Sequence, residues 1–285
     1  MSEHLISVAA LAERLGDGVT RIFDVRHNLM DHSAGAAEYL AGHIPDARFL
    51  DNETQLAAAK TGRNGRHPLP EPADFAALMA AYGVSEDSPV VIYDASGGMF
   101  AAHLWWMLRW IGHTDVRVLD GGWQAWQAAG QPVVIGAATD EVPAVAPRFV
   151  DEIQAQAARV TARDVLNNID QFDFTVIDAR AEARYRGEVE PMDPVAGHIP
   201  GAMNRPNTEN LQPDGRFKSP ETLRAEFTAL LGDRAPKDVV HQCGSGITAC
   251  HNLLAMEIAG LSGSRLYPGS WSEWCSDASR PVAIG

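Results

Sequence analysis

The sequence has few cysteines, fewer basic than acidic residues and no long apolar run. Its 285 residues include three cysteines, an odd number that does not form a disulfide framework. The 23 lysines and arginines against 37 aspartates and glutamates give a formal net charge of −14, which argues against nucleic acid or an anionic membrane as a partner. No stretch is long enough to span a membrane, and the first residues lack the features of a signal peptide. We therefore expect a reduced, soluble, cytoplasmic protein.

The chain repeats itself, with the order of the matching segments kept. The matches pair Phe23–Arg26 with Ile177–Arg180, Ala41–Ala47 with Ala196–Ala202, Asn64–Arg66 with Asp214–Arg216, and Val90–Asp94 with Val239–Cys243. This pattern predicts two copies of one domain of ordinary size. We place the first domain at residues 1–135, a proline-containing linker at 136–147 and the second domain at 148–285.

Short apolar runs alternate with longer helical patterns in each half, which predicts an α/β fold with a mostly parallel sheet flanked by helices. In the second half, we predict strands at Phe174–Ile177, Asp238–Gln242 and Arg265–Tyr267, and helices at Pro220–Leu231, Ile247–Ala259 and from Trp271. Ser219 is the expected N-cap of the helix that starts at Pro220. Ligands of such sheets bind beyond the carboxyl ends of the strands, where Cys243 lies.

The segment His241–Cys250 places a thiol between a predicted strand and a predicted helix. Free backbone N–H groups and the helix dipole at such a position favour a thiolate and make a cysteine nucleophilic. Gly244 and Gly246 follow within three residues, and glycines destabilise a structure unless the backbone must turn tightly or approach a ligand. Cys243 is therefore the candidate nucleophile, although a buried structural cysteine is the common alternative.

Cys243-Gly-Ser-Gly-Ile-Thr-Ala249 closely resembles the active-site loop of the rhodanese-like sulfurtransferases, in the form typical of 3-mercaptopyruvate sulfurtransferases. The resemblance extends over nearly the whole chain. It implies two duplicated rhodanese-like α/β domains, with Gly244, Gly246, Ile247 and Thr248 holding the donor sulfur through the loop. Asp94 stands in the first half where Cys243 stands in the second, so the first domain is expected to be catalytically silent.

The resemblance also implies a proton relay. In these sulfurtransferases, a histidine of the first domain and the loop serine act with an acidic residue, and the matching residues here are His67, Ser245 and Glu53. Asp51 is the alternative acid, because the family usually has aspartate at this place. His67 could also be an ordinary histidine of a surface loop.

Arginines of the second half are the candidate donor-binding residues. By resemblance, Arg184 binds the anionic donor, and Arg186 is either a second donor-binding group or structural. The family's second arginine is replaced by Met192. Arg26 and Arg180 recur in both halves, as do His43 and His198, and we interpret all four as structural. The ten histidines show no metal-like cluster, so no metal and no cofactor are expected.

These features predict a sulfurtransferase. The donor is 3-mercaptopyruvate or thiosulfate, the intermediate is a Cys243 persulfide, and the acceptor is a small thiol, thioredoxin or cyanide. Mercaptopyruvate is the expected preferred donor, because residues 244–246 carry no charge. The alternatives are thiosulfate:cyanide transfer as the main activity, or a non-catalytic sulfur carrier or sensor. A phosphatase is a poor fit, because no basic residue occurs among residues 244–249.

Overall fold

The structure is a computed structural model, and it describes residues 2–138, 143–147 and 158–285. The predicted start of the second domain at residue 148 lies outside the described residues, as does part of the predicted linker. Among the described residues, no helix combines the length and the apolar character needed to cross a membrane.

The first half forms a sheet of five strands, all parallel, in the order β1-β5-β4-β2-β3. The strands are β1 (Leu5–Ile6), β2 (Arg21–Asp24), β3 (Ala47–Phe49), β4 (Val90–Tyr93) and β5 (Val116–Leu119). All four residues of β4 are buried, as expected for a central strand of a parallel sheet, which is covered on both faces. The helices are α1 (Val8–Ala12), α2 (Ala34–Ala41), α3 (Pro72–Ala81), α4 (Met99–Trp110) and α5 (Gly122–Ala128).

The second half forms a sheet of four parallel strands in the order β7-β6-β8-β9. The strands are β6 (Thr175–Asp178), β7 (Met203–Asn204), β8 (Val239–Gln242) and β9 (Arg265–Leu266). The helices are α6 (Ala162–Gln171), α7 (Glu182–Tyr185), α8 (Pro220–Leu231), α9 (Ile247–Ile258) and α10 (Ser270–Trp274), with 3-10 turns at Asn207–Asn210 and Pro236–Asp238. The predicted α/β fold, with a mostly parallel sheet in each half, is confirmed.

Local sequence rules explain how α8 begins. The Ser219 hydroxyl accepts a hydrogen bond from the Thr222 backbone N–H at 3.2 Å, and Pro220 occupies the first helical position. Both features satisfy or remove N–H groups that a helix start leaves without partners. The predicted bounds of this helix are confirmed.

The chain divides into two compact units that are not continuous in sequence. Segment Ala59–Leu69, which precedes α3, belongs to the second unit, and Pro213–Phe217, which precedes α8, belongs to the first. These two segments contain the matching pair Asn64–Arg66 and Asp214–Arg216. The second unit therefore contains Arg66 and His67 although both lie in the first half of the sequence.

Each unit buries the same arginine–aspartate pair, and the pairing is structural, as predicted. Arg26 Nη2 lies 2.6 Å from Asp24 Oδ2, and Arg180 Nη2 lies 2.6 Å from Asp178 Oδ2. Both guanidiniums also donate to a backbone carbonyl and lie over a tryptophan ring. Burial disfavours the charge of Arg180, but the neighbouring Asp178 carboxylate outweighs it and raises the pKa of Arg180.

The repeated histidines are structural as well. His43 stacks on Tyr39, and His198 stacks on Tyr185, each with ring centroids 3.9 Å apart. In both cases the histidine Nδ1 lies within hydrogen-bonding distance of the backbone oxygen of the same tyrosine. These contacts join the Gly-His-Ile-Pro turn to the element that precedes it, which agrees with the interpretation of the repeat.

Candidate active site

Cys243 follows β8 directly and is buried. Its Sγ accepts a hydrogen bond from the Gly246 backbone N–H at 3.2 Å. Gly246 has a φ of 91° and caps α9, and a Cβ atom there would lie 2.5 Å from the Pro268 oxygen. Glycine is therefore required at this position both for its conformation and for the close approach of Pro268. The loop places the sulfur at the N-terminal end of α9, where the helix dipole favours an anion.

Ser270 positions the backbone of the loop, and the sequence interpretation missed it. Its hydroxyl accepts from the Cys243 N–H at 3.1 Å and donates to the Tyr267 oxygen at 2.9 Å. Ser270 is fully buried at a φ of 53°, a left-handed conformation that is uncommon for serine. The segment Gly121–Trp123 of the first half matches Gly269–Trp271, so the counterpart of Ser270 is Gly122, which is also at positive φ. A serine at a place where the other repeat has a glycine was the available signal.

His67 and Ser245 come together in the second unit. His67 Nδ1 lies 2.7 Å from Ser245 Oγ, and both side chains are buried. Ser245 is two residues from Cys243, so the pair connects a titratable imidazole to the loop that carries the thiol. Such a pair can deliver a proton to a group bound in the loop.

The two candidate acids make different contacts within the first unit. Asp51 Oδ1 accepts hydrogen bonds from the backbone N–H groups of Glu53 and Thr54, at 2.7 and 3.1 Å, and so stabilises its own turn. Glu53 Oε1 lies 3.3 Å from His32 Nδ1 in the first unit. The role of Glu53 beside His67 remains a prediction.

Glu53 also belongs to a group that the sequence interpretation did not foresee. Ligand atoms of His27, His32 and Glu53 all lie within 4.8 Å of one another. The expectation that the histidines form no metal-like cluster is therefore wrong in geometric terms. The three residues are brought together by the loops that follow β2 and β3, which lie at one edge of the sheet. Their spacing in the sequence carried no sign of this.

Arg184 lies beside the loop, as predicted. A Cβ atom built on Gly244 would be 3.6 Å from both Nη1 and Nη2 of Arg184. Arg184 pairs with Glu190 at 2.6 Å, through the fork formed by Nε and Nη2. Burial alone would raise the pKa of Glu190, but hydrogen bonds from Arg184 and from the backbone N–H groups of Met192 and Asp193 outweigh it, and this pKa is lowered.

Arg66 is a second cation at the loop, and the sequence interpretation did not select it. A Cβ atom on Gly244 would lie 2.8 Å from Arg66 Nη2, so the absence of a side chain at residue 244 lets this guanidinium approach the backbone. Arg66 Nη1 pairs with Asp193, and the Arg66 backbone N–H donates to Ser272 Oγ at 3.0 Å. Residues 244–246 carry no charge of their own, as expected, and Arg66 adds a second positive charge beside them in addition to Arg184.

Arg186 points to a different environment. It is half-exposed, and its Nη2 lies 2.5 Å from Glu182 Oε1 in an i,i+4 pair. Ile247 is buried, and Thr248 is half-buried in the first turn of α9. The contacts of Arg186 fit the structural alternative, whereas Thr248 stays close to the loop.

The other two cysteines are unsuited to nucleophilic chemistry. Cys250 is fully buried, its Sγ donates to the Gly246 oxygen at 3.3 Å, and burial together with Cys243 raises its pKa. Burial raises the pKa of Cys275 to about 11. Both groups are therefore thiols near neutral pH.

The corresponding loop of the first unit is filled by its own carboxylate. Asp94 follows β4 and is fully buried. Its two oxygens accept hydrogen bonds from four backbone N–H groups at 2.7–3.0 Å, those of Ser96, Gly98, Phe100 and Ala101. Asp94 thus caps α4 and occupies the place where an anionic ligand of this loop would bind.

Comparison with known proteins agrees with this architecture. The Rhodanese-like domain profile matches residues 7–129 and 161–277. A probable 3-mercaptopyruvate sulfurtransferase of Pseudomonas aeruginosa is 46% identical over 286 residues, which cover 100% of this chain and 99% of that protein. The thiosulfate sulfurtransferase of Bos taurus is 35% identical, over 95% of this chain and 91% of that protein. The structure of 3-mercaptopyruvate sulfurtransferase from Leishmania major superposes with a TM-score of 0.85 at 30% identity, covering 98% of this chain and 75% of that one.

The chain belongs to the rhodanese-like family and contains two copies of its domain. Its relatives along the full chain are sulfurtransferases, and this protein is an enzyme of that class.

Proposed function

We propose that the enzyme transfers sulfur from 3-mercaptopyruvate to a thiophilic acceptor through a persulfide on Cys243. The observation that carries this choice of donor is the hydrogen bond between His67 Nδ1 and Ser245 Oγ, 2.7 Å long, next to the cysteine loop. A proton donor at this place matters for mercaptopyruvate, whose leaving group is a carbanion. It matters little for thiosulfate, because sulfite departs without taking up a proton.

In the first half-reaction, the Cys243 thiolate attacks the sulfur of mercaptopyruvate. The S–S bond forms as the C–S bond breaks, and the electron pair of the C–S bond passes to the departing carbon as the enolate of pyruvate. Ser245 donates a proton to this carbon, and His67 returns a proton to the serine. The persulfide left on Cys243 lies at the start of α9, where the Gly246 N–H and the helix dipole stabilise its charge.

In the second half-reaction, an acceptor nucleophile attacks the outer sulfur and the Cys243 thiolate leaves. Cyanide gives thiocyanate, and a small thiol or a thioredoxin gives a new persulfide. Because the first product leaves before the acceptor reacts, this scheme predicts ping-pong kinetics.

Thiosulfate is the second candidate donor, and one observation favours it. Two guanidiniums, those of Arg66 and Arg184, lie beside Gly244, and such a pair suits a compact dianion. Steady-state rates with both donors and one acceptor distinguish the two functions. The proposal expects the larger kcat/KM for mercaptopyruvate, and a clear preference for thiosulfate would overturn it.

A further inference from the structure

Two histidines and a glutamate of the first unit lie together at the carboxyl ends of two neighbouring strands. His27 and His32 stand in the segment between β2 and α2, and Glu53 follows β3. One ligand atom of each side chain, an imidazole nitrogen or a carboxylate oxygen, lies within 4.8 Å of the other two. His32 Nδ1 is 3.3 Å from Glu53 Oε1, and the two imidazole rings meet edge to face with centroids 5.4 Å apart. Neither histidine has a role in the proposed sulfur transfer.

Hydrogen bonds hold the backbone beneath this group. Asn52, one residue before Glu53, donates from Nδ2 to the Val25 oxygen at 3.2 Å. This bond ties the loop after β3 to the loop after β2. The Glu53 N–H donates to Asp51 Oδ1 at 2.7 Å, which fixes the turn that presents the glutamate.

Helix packing brings the two histidines to the same place. A Cβ atom on Gly35 would lie only 2.1 Å from the Arg26 oxygen, so glycine lets the start of α2 approach the residue before His27. His32 lies just before this helix and is carried along with it. His27 packs edge to face on Phe100 of α4, with ring centroids 5.1 Å apart. The fold therefore assembles the three side chains without the help of an ion.

Two imidazoles and a carboxylate form a ligand set that suits zinc. Two ligands of a tetrahedral Zn²⁺ lie about 3.3–3.4 Å apart, since each is about 2.0–2.1 Å from the ion. His32 Nδ1 and Glu53 Oε1 already have this separation. The half-exposed side chain of His32 is able to rotate and close the remaining distance to His27. Mg²⁺ and Ca²⁺ prefer oxygen ligands and should bind poorly.

We propose that His27, His32 and Glu53 form a binding site for Zn²⁺, with water at the fourth position of the ion. Bound zinc links the loop after β2, the segment before α2 and the loop after β3. Because the assembled site exists only in the folded chain, the ion stabilises the protein against unfolding. The proposal does not depend on which donor supplies the sulfur.

Isothermal titration calorimetry of the full chain, stripped of metal with a chelator, tests the site with Zn²⁺ as the probe. The wild-type protein should bind zinc at this site and show little binding of Mg²⁺. His32→Gln and Glu53→Gln each remove a ligand and should weaken zinc binding by at least about 10–100-fold, the loss caused even by residues that only orient a ligand. Glu38→Gln neutralises an exposed glutamate of α2 outside the group and is the matched control, with an affinity equal to that of the wild type.

Thiolates also bind zinc, so the catalytic cysteine needs its own control. Cys243→Ser should keep the zinc affinity of the three-residue site. Thermal unfolding gives a second readout that is independent of activity: zinc should raise the melting temperature of the wild type, Cys243→Ser and Glu38→Gln, and not that of His32→Gln. Equal melting temperatures of the wild type and His32→Gln in the absence of zinc would show that this variant is folded.

Three results would overturn the site. One is a wild-type protein that binds no zinc, which would leave the group as an ordinary ion pair beside a second histidine. Another is an unchanged zinc affinity in both His32→Gln and Glu53→Gln. The third is binding that survives in these two variants and disappears in Cys243→Ser, because the thiol would then be the ligand.

Discussion

The Asp94 loop of the first unit and the Cys243 loop of the second share a backbone arrangement and differ in the side chain at its centre. Both loops follow a central parallel strand, and both end in a glycine with a φ near 90° that caps a buried helix. In each loop, the backbone oxygen of Asp94 or Cys243 accepts a hydrogen bond from the backbone N–H of a tryptophan. In the first, a carboxylate accepts four backbone N–H groups. In the second loop, the backbone N–H of Gly246 is the only one that donates a hydrogen bond to Cys243 Sγ among the described residues.

The different side chains suit one loop to stabilising the fold and the other to carrying out a reaction. The Asp94 loop satisfies its own donors and therefore contributes to folding without needing a ligand. In the Cys243 loop, the N-terminus of the helix faces a sulfur atom whose chemical state changes during the reaction. Residues outside the loop contact it, namely Ser270, Arg66, Arg184 and His67. The same backbone arrangement thus serves as a structural helix cap in one unit and as a reaction site in the other.

Replacing the cysteine should have the largest effect. Cys243→Ser should lose sulfur transfer with either donor, because a hydroxyl does not carry sulfane sulfur. Cys250→Ser and Cys275→Ser are the matched variants and should keep most of the activity, since both thiols are protonated near neutral pH. Rates of thiocyanate formation measure all three. Substantial turnover by Cys243→Ser would show that another residue carries the sulfur.

Removing the imidazole should have the next largest effect, and only on one donor. His67→Ala should slow the mercaptopyruvate half-reaction about 100-fold or more, the usual contribution of a general acid–base group. The thiosulfate half-reaction should change much less, because sulfite needs no proton. Single-turnover release of pyruvate and of sulfite measures the two effects. Equal losses would show that His67 supports the loop instead of moving a proton.

Removing Arg184 should affect binding more than chemistry. Arg184→Ala should raise KM about tenfold, because lost hydrogen bonds to charged groups cost about 1.5–3 kcal/mol. Arg163→Ala, which removes an exposed arginine at the start of α6, is the control for overall charge. An unchanged KM in Arg184→Ala would mean that another cation recognises the donor.

Changing the silent loop should alter stability and leave catalysis intact. Asp94→Asn removes one acceptor oxygen from a buried cap and should lower the free energy of unfolding by about 1–3 kcal/mol. Asp87→Asn, at an exposed loop position, should change it by less than about 0.5 kcal/mol. Urea denaturation gives both values. A loss of kcat without a loss of stability in Asp94→Asn would contradict the structural role of this loop.

The smallest expected signal comes from Cys275. Burial raises its pKa to about 11, so its thiolate fraction rises tenfold per pH unit below that value. Labelling of Cys275 by iodoacetamide should therefore be slow at pH 7 and increase steadily toward pH 11. Peptide mapping across this range measures it. Labelling at pH 7 as fast as that of Cys243 would contradict the burial argument.

Much of the fold was predictable because each element carries local signals. The start of helix α8 is fixed by Ser219 and Pro220, and β8 begins with two valines shortly before the cysteine. The errors at the ends of the predicted elements were of one residue, as at β6, which starts at Thr175 and not at Phe174. The duplication added independent support, because the same pattern occurs twice.

Site residues that belong to a sequence motif were predictable, whereas those brought to the site only by the tertiary structure were not. Cys243, Ser245 and Arg184 stand in recognisable segments. Arg66 carries no local sign of its place at Gly244, because the segment Ala59–Leu69 belongs to the second unit although it precedes the second half of the chain. The grouping of His27, His32 and Glu53 likewise depends on two loops meeting at one sheet edge.

The central claim is that Cys243 alone carries the transferred sulfur, and intact-mass measurement after brief treatment with mercaptopyruvate tests it most directly. The wild-type protein should gain the mass of one sulfur atom, located on the Cys243 peptide and removed by cyanide. Cys243→Ser should gain none. Persulfide on Cys243→Ser, or a wild-type protein that stays unmodified while it releases pyruvate, would contradict the account.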